Sequence, residues 1–159
     1  MIAQKSILFV CTANVFRSLS AELALKKYLL ENGVVDWCVD SAGTIAIPEP
    51  IDQKTLETLR EIGIDATGHQ QKKLSREMLE RYDIVVGMDE NHIEFMQSKF
   101  NYGRAILFNE LVSGKKTSIT DVNEVPDYKN DRPGVEKKIE RTVKEIFVKI
   151  PALFERVSK

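Results

Sequence analysis

Cys11 and Arg17 are the residues whose type and spacing carry chemistry. The run Val10-Cys11-Thr12-Ala13-Asn14-Val15-Phe16-Arg17-Ser18 sets a thiol six positions before a permanent cation, with five residues between and a hydroxyl beside the cation. That spacing alone means little; the segment around it gives it weight. The residues between let successive backbone N–H groups curl around the oxygens of a bound anion. The planar fork of Arg17 can hold two of those oxygens. Cys11 then lies beneath the central atom, placed for in-line attack, and Ser18 can donate to its thiolate. The chemistry on offer is a thiolate nucleophile facing a bound oxyanion.

Positioning those residues takes a strand, a turn and a helix. Ser6-Ile7-Leu8-Phe9-Val10 is an apolar, partly β-branched run, the pattern of a buried parallel strand. After the turn, Ala21, Ala24, Leu25, Tyr28 and Leu29 recur at helical spacing. The helix N-terminus points its unpaired N–H groups and its dipole into the turn. Further elements alternate. A strand is expected over 37–44, a loop around Pro48 and Pro50, and a helix capped by Asp52 that runs to Gly63. Ser75 caps a short helix, 82–88 reads as a third strand, and Asp89 caps a helix to about Lys99, with His92 a surface or capping residue. A short fourth strand spans 105–108. The stretch 109–133 has no periodicity and is long for a structureless loop, which marks it as functional or partly helical. A last helix starts near Gly134, and Pro151 is expected to kink or break it.

Strands alternating with helices imply an α/β fold in which a four-stranded parallel sheet carries helices on both faces. The phosphate-binding loop then follows the carboxyl end of the first strand. The turns after Val10, Val39 and Val86 share one rim, where such sheets bind ligands. One domain over residues 1–159 is expected.

Composition narrows the function. A net charge of −1 makes no electrostatic case for nucleic acid or an anionic membrane. No run is long and apolar enough for a membrane span, and residues 1–5 carry no signal-peptide pattern. Cys11 and Cys38 are the only cysteines, so a disulfide framework is not expected and a reducing cytoplasm is the default. With two histidines and two cysteines far apart in the chain, no metal-ligand spacing appears, and no cofactor is expected.

The stretch from Cys11 to Ser18 resembles the low-molecular-weight protein tyrosine phosphatases, whose signature is a cysteine, five residues and Arg-Ser directly after an N-terminal strand. The resemblance continues in register through Ala21-Glu22, Ser41-Ala42-Gly43-Thr44, His69 and Met88-Asp89. It implies that Thr12, Ala13, Asn14, Val15, Phe16, Arg17 and Ser18 bind phosphate, with Asn14 in a left-handed backbone. It also implies that Ser41 and His69 brace the loop through a network with Asn14 and Ser18. The family's general acid is an aspartate in a late Pro-Asp-Pro-Tyr loop. Here Glu124-Val125-Pro126-Asp127-Tyr128 lacks the proline after the aspartate but supplies Asp127 as the match, so Asp127 is the expected acid, with Asp121 and Asp131 as alternatives. The rim of the site falls to Ile45, Ile47 and Tyr128. The implied reaction is hydrolysis of a phosphomonoester through a phosphocysteine, releasing inorganic phosphate. The implied partner is a phosphotyrosine protein such as a tyrosine kinase, and the enzyme is expected as a monomer.

Phe16 replaces the second loop cysteine common in the family, Ala13 replaces a glycine and Leu19 a proline. Val15 stands where tyrosine-specific members are apolar and protein-arginine phosphatases carry threonine, which favours phosphotyrosine. Ile45 and Ile47 give aliphatic walls where many members place aromatics. Three alternatives stand beside the tyrosine reading. They are a protein-arginine phosphatase, a thioredoxin-coupled arsenate reductase and a catalytically weak phospholigand-binding module. The reductase relays oxidation through two later cysteines, and none follows Cys38.

Overall fold

A computed structural model describes residues 4–159. The sheet is built from β1 (Lys5–Cys11), β2 (Trp37–Gly43), β3 (Ile84–Gly87) and β4 (Ile106–Leu107). The helices are α1 (Arg17–Glu31), α2 (Gln53–Glu61), α3 (Arg76–Arg81), α4 (Glu90–Phe100), α5 (Phe108–Ser113) and α6 (Arg132–Val157). The four strands are parallel in the order β2-β1-β3-β4.

β1 is central, and every residue from Ile7 to Cys11 is buried. Its alternating side chains divide the core. Ile7 and Phe9 face one layer with Leu19, Leu25, Ile139, Ile146 and Leu153, from α1 and α6. Leu8 and Val10 face the other with Leu74, Leu79 and Met96. Helices therefore cover both faces, as a parallel sheet buried on each side requires.

α1 begins at Arg17, the arginine at which the helix is expected to start, and two elements depart from the sequence expectation. The aperiodic stretch is partly helical, as its length suggests, but Phe108 opens α5 instead of closing the fourth strand, its ring drawn into the core 6.2 Å from that of Phe9. α6 runs through Pro151 to Val157. The proline removes one backbone hydrogen bond, and the buried Ile150 and Leu153 on either side hold the helix to the core.

The rim at the carboxyl ends is tied together by backbone. Thr44 N–H donates to Cys11 O at 2.9 Å, and Met88 N–H donates to Val10 O at 3.0 Å. Ile119 N–H donates to Met88 O at 2.8 Å, which brings the segment after residue 118 to the end of β3.

Candidate active site

The loop between β1 and α1 is held by Asn14. Its φ is +60°, a left-handed conformation that asparagine tolerates better than most side chains. Asn14 Oδ1 accepts from Lys72 N–H at 3.0 Å, which orients the amide. Nδ2 then donates to Ser18 Oγ at 2.9 Å and to Ser41 Oγ at 2.8 Å. Ser41 passes its own hydrogen to the buried Glu22 carboxylate, which Lys26 neutralises at 2.6 Å. With Ser18 Oγ accepting from Asn14, its hydrogen is free for Cys11 Sγ, 2.9 Å away. The network thus aims a hydroxyl donor at the sulfur.

Two further contacts shape the loop from below. His69 Nε2 donates to Asn14 O at 2.8 Å, and Gln71 Nε2 donates to Ala13 O at 2.6 Å. Gly43 pairs with Cys11 in the sheet, and a Cβ there would lie 2.5 Å from Thr12 O. Only glycine lets the loop close over the end of β2.

Arg17 is buried among acceptors. Its NH1 donates to Ile119 O at 2.9 Å and lies 3.6 Å from Asp89. Its NH2 donates to Asp121 Oδ2 at 3.2 Å and to Thr12 Oγ1 at 3.4 Å. Asp121 is held from its other oxygen, which accepts from Val122 N–H at 2.7 Å and caps a 3-10 turn over Val122–Glu124. Thr12 Oγ1 also lies 3.0 Å from Nε2 of His92, whose pKa burial and the Arg17 charge push down to about 3.

A cavity of about 380 Å³ opens over this arrangement. Cys11, Ala13, Val15, Phe16 and Arg17 line it from the loop, Glu49, Pro50, Asp52 and Thr55 from the start of α2, and Asp121, Val122 and Ile139 from the far side. Asp52 caps α2 and forms a two-pronged pair with Arg132 at 2.8 and 2.7 Å. That arginine holds the Asp52 carboxyl below its ordinary range.

The sequence reading and the structure part company over the acid and the rim. Asp127 is exposed, with φ +54°, and its Oδ1 accepts from Asn130 Nδ2 at 2.9 Å; it does not line the cavity. The chain is pinned to the end of β3 at Ile119, passes the cavity at Asp121 and has turned outward by Pro126. Asp131, the other alternative, caps α6 through Gly134 N–H. Ile45 and Ile47 are 50% and 66% exposed and stand off the cavity lining. Tyr128 lines a neighbouring groove with Asp52, Val122 and Arg132. His92, expected at the surface or as a cap, does cap α4 but is buried. Glu22, Gln71 and Lys72 also brace the loop. Nothing in the sequence pattern singles out Gln71 or Lys72, while the Ala21-Glu22 match places Glu22 at the start of the first helix.

Among the described residues, no group of three or more His, Cys, Asp or Glu could hold a metal ion. No described helix is long and apolar enough to cross a membrane.

The family model described as low molecular weight phosphotyrosine protein phosphatase matches residues 6–159. The chain belongs to that family. Among its relatives, the low molecular weight phosphotyrosine protein phosphatase of Rattus norvegicus is 31% identical over 103 residues, 63% of this chain and 65% of the rat protein. The alignment thus spans just under two thirds of that relative's length. A protein-arginine-phosphatase of Bacillus subtilis (strain 168) is 32% identical over 145 residues, 88% of this chain and 95% of that one. Among solved structures, the arginine phosphatase YwlE with a phosphorylated active-site serine superposes with a TM-score of 0.83 at 26% identity, covering 97% of this chain and 96% of that one. The low molecular weight protein tyrosine phosphatase of T. tengcongensis gives a TM-score of 0.80 at 29% identity, covering 96% and 99%. These two solved structures thus share the fold of this chain over nearly its whole length.

Proposed function

We propose that this chain is a cysteine-dependent protein phosphatase that hydrolyses phosphotyrosine. The observation that carries the reading is the meeting of Cys11, Arg17 and Asp121 on one cavity, with the Ser18 hydroxyl beside the sulfur. The dianionic phosphate takes the loop N–H groups and the fork of Arg17. The Cys11 thiolate attacks phosphorus, and the bond to the leaving oxygen breaks as Asp121, in its acid form, gives that oxygen a proton. Asp121, now a carboxylate, takes a proton from water as the water attacks the phosphocysteine. The P–S bond breaks, and inorganic phosphate and the thiolate are released. The Ser18 hydroxyl donates to the sulfur before attack and again as it leaves. Arg17 and the loop amides supply the positive charge, so the mechanism calls for no metal.

The walls support an aromatic leaving group. Ala13, Val15, Phe16, Pro50, Val122 and Ile139 are apolar or nearly so. A second reading, phosphoarginine, draws support from two carboxylates on the same cavity, Glu49 and Asp52, and from the Bacillus relative aligned over most of the chain. The partner is read as a phosphotyrosine protein, a tyrosine kinase included, met by a monomer in the cytoplasm. The two free thiols accord with that compartment.

Turnover of p-nitrophenyl phosphate, lost in C11S, tests the activity. Steady-state rates on phosphotyrosine, phosphoarginine and phosphoserine peptides test the substrate. A phosphoarginine rate above the phosphotyrosine rate would replace the first reading with the second.

A further inference from the structure

Three hydrogen bonds link the cap of α4 to the phosphate clamp, and each fixes the direction of the next. Asp89 N–H donates to His92 Nδ1 at 3.0 Å. Nδ1 is therefore the accepting nitrogen, and the single proton of the neutral ring is on Nε2. Nε2 lies 3.0 Å from Thr12 Oγ1, so it donates to the hydroxyl. Arg17 NH2 donates to the same oxygen at 3.4 Å. Neither donor can accept, so Thr12 must receive both.

We propose that His92 is a positioning residue for Arg17, acting through Thr12 to hold the guanidinium in the plane that receives phosphate. The proposal rests on the phosphatase reading above. Arg17 NH2 has two side-chain acceptors, Asp121 and Thr12. Asp121 has to turn from the arginine to serve the leaving oxygen, and Thr12 is then the acceptor that stays. A hydroxyl is a free rotor and can equally donate elsewhere. The imidazole donor removes that freedom and leaves Thr12 an acceptor facing Arg17. Burial keeps the ring neutral, so no second cation opposes the arginine. Gly87 lets the first turn of α4 pack close to the end of β3: a Cβ there would meet Ile93 Cδ1 at 2.8 Å and His92 Cβ at 3.4 Å.

A double-mutant cycle tests this. H92N keeps an oxygen where Nδ1 accepts from Asp89 and loses the reach to Thr12. T12V keeps the shape of the threonine and loses its acceptor. H92Q keeps a donor at the reach of Nε2. The readouts are the inhibition constant of inorganic phosphate and kcat/KM for p-nitrophenyl phosphate. Each single variant should weaken phosphate binding about fivefold, the double variant no more than the worse single, and H92Q should recover most of the loss. Losses that multiply in the double variant would show that His92 serves only as a helix cap, and the proposal would fall. Unchanged phosphate binding in H92N would overturn it equally. H92M, nearer to histidine in volume, runs the same cycle if H92N does not fold. Absence of turnover in the wild type would strike the phosphatase reading instead. Phosphate affinity by calorimetry would then still decide the coupling.

Discussion

Arg17 and Asp121 lie 104 positions apart in the chain and meet at 3.2 Å over the cavity. The arginine side chain is almost wholly buried, the aspartate about one third exposed. A lysine at position 17 keeps a charge for Asp121 but loses the planar fork. R17K should therefore lower kcat/KM for p-nitrophenyl phosphate at least about a hundredfold, with a melting temperature near that of the wild type. Activity within a few-fold of wild type would mean that charge alone binds the phosphate.

Asn14 combines a left-handed backbone with a three-way amide network, and one substitution separates the two. Glycine accepts a φ of +60° freely but has no amide. N14G leaves Ser18 and Ser41 without their shared donor and Lys72 N–H without its acceptor. We expect a loss of about 1–3 kcal/mol in stability by urea unfolding and a fall in kcat of about tenfold or more. Wild-type kcat in N14G would show that the strained backbone alone arranges the loop.

The buried His92 links folding to pH. Its folded value, about 3, lies below the 6.5 of an ordinary histidine. The unfolded chain thus binds the extra proton first as pH falls. The stabilising contribution is full above 6.5 and drains away as pH falls towards about 3. Within that window the slope attributable to this group approaches about 1.4 kcal/mol per pH unit. H92Q should flatten urea-unfolding stability between pH 6 and pH 4 relative to wild type. Parallel curves would place the acid sensitivity elsewhere.

Thr55 lines the cavity, is fully buried, and its hydroxyl has no hydrogen-bond partner among the described residues. Replacing it with a side chain of the same shape removes an unmet polar group. T55V should gain about 1 kcal/mol, a rise in melting temperature of about 2–4 °C for a chain of this size. A fall in melting temperature would indicate that a bound water satisfies the hydroxyl.

Much of the fold was legible because its signals are local. Apolar runs such as Ile7 to Val10, caps such as Asp52, Ser75 and Asp89, and glycine stops name elements within a few residues. The loop from Cys11 to Ser18 is equally local, and its bracing by Asn14, Ser41 and His69 followed from the family resemblance. The place of Asp121 on the cavity was not legible in the same way. Asp127 follows Val-Pro and matches a motif, but whether an aspartate reaches Cys11 depends on where the chain is pinned. That pin is Ile119 N–H on Met88 O, a contact between segments far apart in sequence. Phe108 misleads for a related reason: β-propensity in its own strand run yields to packing on Phe9. His92 is a cap in sequence terms, and only the end of β1 beside α4 turns it towards Thr12.

Leaving-group dependence in D121N and D127N bears most directly on the central claim, that Cys11, Arg17 and Asp121 form one catalytic unit. Rates on aryl phosphates of rising leaving-group pKa should fall steeply in D121N, by about a hundredfold or more for phenyl phosphate and far less for activated esters. D127N should follow the wild-type line throughout. The reverse pattern, a steep line for D127N and a wild-type line for D121N, would contradict the account and return the acid to the position that the motif marks.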